Sequence, residues 1–70
     1  MFNVVFELKP IGSFASKFEA MIAVYAAVAA RLGYSAEVIA MDDEDNAGCV
    51  DFLAHNATEA VVVAINYKAA

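Results

Sequence analysis

The chain has 70 residues, 63% of them hydrophobic, and carries nine Asp/Glu against four Lys/Arg for a formal net charge of −5. A chain of this length holds one domain and buries only about 60% of the surface its unfolded form exposes, so a second domain is excluded and every apolar face counts. The acidic balance disfavours direct binding to nucleic acid or an anionic membrane, both of which recruit Lys/Arg to displace counterions, and makes a basic protein surface the complementary partner.

The only cysteine, Cys49, has no partner for an intramolecular disulfide, which points to a reducing, cytoplasmic setting. The longest unbroken apolar run, Ala20 to Ala30, falls well short of the ~20 residues of a membrane span. Lys17 ahead of that run and Ala27-Val28-Ala29 within it resemble parts of a secretory signal. Glu7 and Glu19 in the preceding segment argue against that, as does its strand pattern.

In chain order, residues 2–9 alternate, with Phe2, Val4, Phe6 and Leu8 on one face and Asn3, Val5, Glu7 and Lys9 on the other, which predicts a half-buried strand stopped by Pro10 and Gly12. A helix follows, with Ser13 or Ser16 as N-cap; Ser16-Lys17-Phe18-Glu19 fits the S-x-x-E capping box, and Arg31 and Gly33 mark the end. Phe14, Phe18, Met21, Ile22, Tyr25, Val28, Ala29 and Leu32 recur at three- and four-residue steps and are expected to cover the sheet. The opposite side, with Ala20, Ala23, Val24, Ala27 and Ala30, reads as a smooth outer surface or a contact face.

Tyr34 to Met41 resumes strand character, with Ala36, Val38 and Ala40 opposing Ser35, Glu37, Ile39 and Met41. A polar turn-forming stretch runs from Asp42 to Gly48. Cys49 to Ala54 reads as a third strand with Val50, Phe52 and Ala54 on one face, although a helical turn competes there. His55 to Thr58 supplies a turn, and Ala60 to Tyr67, apolar on both faces, reads as a central strand. The expected fold is a single α+β domain of order β-α-β-β-β, a largely antiparallel four-stranded sheet with the helix on one face. Glu7, Glu37 and Asp51 then share the uncovered face with Val5, Ile39 and Leu53.

Charge is segregated. Residues 1–31 hold two acids and three bases, whereas Leu32 to Tyr67 hold seven acids and no Lys or Arg. Asp42, Asp43, Glu44 and Asp45 are consecutive. Adjacent carboxylates ~5 Å apart repel by roughly 1–3 kcal/mol at an effective dielectric of ~20 to 80, so the run serves something other than stability, whether solubility or binding. As an EF-hand loop beginning at Asp43 it would offer Asp43, Asp45 and Gly48 at positions 1, 3 and 6, but Ala47 and Ala54 stand where further ligands are required, so no metal is expected. As a protein-binding epitope, Asp42, Asp43, Glu44 and Asp45, with Glu37 and Asp51 behind them, present a negative field to a Lys/Arg-lined groove and mimic a phosphate backbone.

No catalytic set is expected. On one strand Cys49 and His55 lie about 20 Å apart at ~3.3 Å per residue, too far for a nucleophile and its base. There is no C-x-x-C, no second His and no Gly-rich phosphate loop, so neither a metal nor a cofactor is implied.

In size, acidity and element order, rather than in any motif, the chain resembles the small phage-encoded anti-CRISPR proteins. That resemblance implies a phage protein in the cytoplasm of a host bacterium, a non-enzymatic inhibitor bound to a Cas subunit on the surface that receives target DNA. The alternative of another class is a structural or assembly protein, a homodimer formed through the alanine face of the helix or the uncovered sheet face, its acidic loop serving solubility.

Overall fold

The computed structural model describes residues 1–42 and 48–67, which form five strands and one helix: β1 (Phe2–Phe6), β2 (Lys9–Phe14), α1 (Lys17–Leu32), β3 (Glu37–Asp42), β4 (Cys49–His55) and β5 (Ala60–Tyr67). The strands make one antiparallel sheet in the order β2-β1-β5-β4-β3, with α1 packed on one face. The α+β class, the single helix and the central position of Ala60–Tyr67 agree with the sequence reading. Residues 49–55 are strand, their burial alternating through Val50, Phe52 and Ala54. Among the described residues no helix is long and apolar enough to cross a membrane.

The sheet has five strands rather than four because the first strand folds back on itself. Phe6 pairs with Lys9 across a two-residue turn, Glu7-Leu8, in which both residues adopt positive φ (50° and 67°). Positive φ at both central positions is the turn geometry whose twist matches a hairpin, usually supplied by Asn-Gly. Leu8, expected in the core, is therefore 95% exposed, and Glu7 sits in the turn rather than on the open sheet face. Pro10 does not end the sheet. It lies on the edge strand β2, where a missing N–H removes no ladder bond to an outer neighbour. The register slips between Val4 and Val5, leaving Ile11 as the extra residue of a bulge.

The helix ends where the sequence predicts. The Ser16 side chain accepts from the Glu19 backbone N–H (3.2 Å), and Gly33, at φ 95°, donates its own N–H to Ala29. Its rotation differs from expectation. The buried stripe is Ala20, Val24, Val28 and Leu32, each four residues from the next, whereas Phe18 (74%), Ile22 (54%) and Tyr25 (52%) remain exposed. Small and β-branched groups let the helix axis come close to a sheet already filled by Val4, Phe52, Val63 and Ile65. Phe14 and Met21 pack at the margin of that core.

The helix lies over β1 and β2, leaving a groove between its far side and β3. The β4–β5 end is fastened to α1 by Asn56, whose Nδ2 donates to the Leu32 carbonyl (3.0 Å). At the other end of β4, Gly48 takes φ 72° with its Cα turned to the Tyr67 carbonyl; an added Cβ would lie 2.7 Å from that oxygen.

Candidate functional site: an acidic strand end and an apolar helix ridge

The open face of the sheet, opposite α1, is built from the outward positions of each strand. In register these include Asn3 and Val5 on β1, Val62 and Ala64 on β5, Asp51, Leu53 and His55 on β4, and Glu37 and Ile39 on β3. Two of the acids expected there, Glu37 and Asp51, are in place. They stand at opposite ends of the β3–β4 pair: Glu37 pairs with His55, four residues along β4 from Asp51, or about 13 Å at ~3.3 Å per residue. Glu37 approaches His55 Nε2 at 3.5 Å. Asp51 is half-buried and accepts a hydrogen bond from the Cys49 thiol (3.4 Å).

Asp42 is the last residue of β3, and its backbone pairs with Asp51. Strict alternation puts position 42 in phase with Val38 and Ala40. A bulge at Met41 shifts it by one, into register with Asp51. The remaining residues of the acidic run, Asp43, Glu44 and Asp45, lie outside the described residues. β3 ends at Asp42 and β4 begins at Cys49, so the sheet stops here at the end marked by Asp51 and not at the end marked by Glu37.

At the far end, carboxylates meet a base. Arg31, in the last turn of α1, makes a two-pronged contact with Glu59 (2.9 and 2.8 Å) and approaches Glu7 at 3.6 Å. Hydrogen bonding to Glu59, then the attraction of Glu59 and Glu7, raises the Arg31 pKa. The hydrogen bonds from Arg31 hold the Glu59 carboxyl below its ordinary range; its charge adds to them, and partial desolvation opposes them. Cys49 and His55 occupy opposite ends of β4 and do not converge.

A second surface escaped the sequence reading. Phe18, Ile22 and Tyr25 form an exposed apolar ridge along the outer side of α1, and Tyr34, 97% exposed, stands beyond its C-terminal end. A hollow flanks the ridge on each side. One is lined by Phe14, Ala15 and Ala23, the other by Gly33, Ala36 and Val38, and both reach Ile22 and Ala26. The available signal was the absence of any charged residue between Glu19 and Arg31, which leaves the outer face of the helix without Lys or Glu. No protein-family model, curated protein or solved structure matches this chain.

Proposed function

We propose that the chain is a small non-enzymatic binding protein that docks the Asp42/Asp51 end of its sheet, with Asp43, Glu44 and Asp45, on a Lys/Arg-lined protein surface, as an anti-CRISPR protein that occupies the DNA-receiving surface of a Cas subunit. The observation that carries the reading is the β3–β4 register, which sets Asp42 opposite Asp51 where the acidic run leaves the sheet. From Leu32 to Tyr67 the chain offers no Lys or Arg to neutralise these groups. Such a field speeds encounter with a basic groove and discriminates against acidic partners. Glu37, at the other end beside His55, contributes to the general field rather than to the contact.

The test is competition with target DNA for a panel of CRISPR-Cas complexes. The parent chain is expected to displace DNA from one of them, with an effect that fades between about 0.1 and 0.5 M salt as screening strengthens. The variant carrying Asp42→Asn, Asp43→Asn, Glu44→Gln and Asp45→Asn is expected to stay folded and lose the competition. Equal inhibition by parent and variant removes the acidic end as the contact. A parent that inhibits none of the complexes removes the anti-CRISPR reading.

A further inference from the structure

We propose that the chain forms a homodimer in which the α1 helices of two copies pair antiparallel along the ridge Phe18, Ile22, Tyr25 and Ala29. The spacing of four, three and four residues is that of a heptad seam. At 3.6 residues per turn the four positions fall within an arc of about 60°, centred roughly 110° around the helix from the middle of the buried stripe Ala20, Val24, Val28 and Leu32, on one flank of α1.

Three observations select a second copy as the occupant. The ridge is self-complementary: a two-fold axis passing between Ile22 and Tyr25 sets Phe18, the most exposed large residue of the helix, against Ala29 of the other copy and Ile22 against its Tyr25. With a hollow on either side of the ridge, each copy then lays its ridge in a groove of the other, the ordinary mode of helix packing.

Charge points the same way. Two molecules of net charge −5 repel, yet residues 1–31 carry two acids against three bases, and nothing between Glu19 and Arg31 is charged. Helix-to-helix contact keeps the seven acids of Leu32 to Tyr67 out of the seam, and a basic partner has no acid on this ridge to bind.

Area is the third argument. The exposed parts of Phe18, Ile22, Tyr25 and Tyr34 amount to roughly 500 Å² per copy, taking aromatic side chains at about 150–250 Å². Two copies together reach about 1,000 Å², the threshold of a specific interface. The dimer joins the two sheets through their helices and leaves both open sheet faces and both acidic ends available.

Sedimentation equilibrium of the full chain at micromolar to submillimolar concentration is expected to give twice the monomer mass. Ile22→Glu and Tyr25→Glu each bury two unpaired carboxylates about the axis and are expected to weaken association on the order of 100-fold or more. Both side chains are exposed in the single chain, so far-UV circular dichroism and cooperative unfolding should persist. Orientation is read by mixing Phe18→Cys and Ala29→Cys chains, each also carrying Cys49→Ser, under oxidising conditions. A crosslink between positions 18 and 29 is expected. A parent that stays monomeric throughout the range overturns the proposal, as does a dimer indifferent to both Glu variants; crosslinks of 18 to 18 and 29 to 29 overturn the antiparallel arrangement.

Discussion

Asn56 closes two structures with one side chain. Its Oδ1 accepts from the backbone N–H groups of Thr58 and Glu59 (both 2.8 Å) and from the Thr58 hydroxyl (3.1 Å), which shapes the β4–β5 turn. Its Nδ2 meanwhile donates to Leu32, whose carbonyl belongs to the last turn of α1 and has no partner further along the helix. Asn56→Ala removes all four bonds and leaves a half-buried carbonyl and two N–H groups to find water, so a loss of about 1–3 kcal/mol is expected. Asn56→Asp keeps the acceptor and loses the donor, and should fall between parent and Ala. Urea unfolding checks both, read as a midpoint shift at constant slope. A change below about 0.5 kcal/mol for the Ala variant, the size of an ordinary surface substitution, means that the bridge is not stabilising. The sequence marks 55–58 as a turn; the reach to Leu32 spans 24 positions and has no local signature.

At the scale of elements, the Glu7-Leu8 turn is where local preference and fold disagree. A non-glycine residue in the left-handed region costs roughly 1–2 kcal/mol, whereas glycine adds about 0.5–1 kcal/mol of unfolded-chain entropy. At Leu8, with φ 67° and a side chain 95% exposed, the first effect wins and no burial is lost. Leu8→Gly is therefore expected to stabilise the protein by about 0.5–1 kcal/mol, and Leu8→Val, bulkier at Cβ, to destabilise it. A glycine variant that unfolds more easily than the parent contradicts the turn geometry. The same residues explain what reading the sequence missed. Phe6 and Leu8 keep the two-residue period running through the turn, so nothing in residues 2–9 announces a hairpin. Strands β4 and β5 and the ends of α1 were legible because Val50/Phe52/Ala54, the Val/Ile run and the Ser16 and Gly33 caps are local signals. The rotation of α1 was not. With no charge between Glu19 and Arg31, any face of the helix can be buried, and the sheet's relief, a non-local property, selects Ala20/Val24/Val28. For the acidic site the run itself was legible, but the Met41 bulge that sets Asp42 against Asp51 was not.

Taken as a whole, the molecule separates its charges by end. Asp42 and Asp51 mark one end of the β3–β4 pair, while Arg31 joins three elements at the other: its own helix, the β4–β5 turn through Glu59, and the β1–β2 turn through Glu7. With about two-fifths of each side chain exposed to water, the Arg31–Glu59 pair is screened, and its value lies in joining separate elements rather than in raw strength. Its pH dependence follows from the direction of the shift. Glu59 is held below its ordinary value of 4.5, so the folded chain binds this proton less readily than the unfolded chain. The contribution is complete above that value and disappears as pH falls through the lower, folded-state pKa. Arg31, raised above its already high ordinary value, contributes stability that is present below that value and declines only as pH rises beyond it, outside the working range. Acidification also relieves repulsion among the other carboxylates, which works in the opposite direction, so the parent's curve alone does not isolate the pair. The difference between parent and Glu59→Gln does. Thermal midpoints should differ most near neutral pH, with the parent higher, and converge as pH falls below the ordinary carboxyl value and through the lowered pKa of Glu59. Added salt should narrow the neutral-pH gap without moving the pH at which the curves merge to the alkaline side of 4.5. Curves that run parallel down to pH 2 would assign the variant's loss to packing of the side chain and not to the charged contact that holds the helix to both turns.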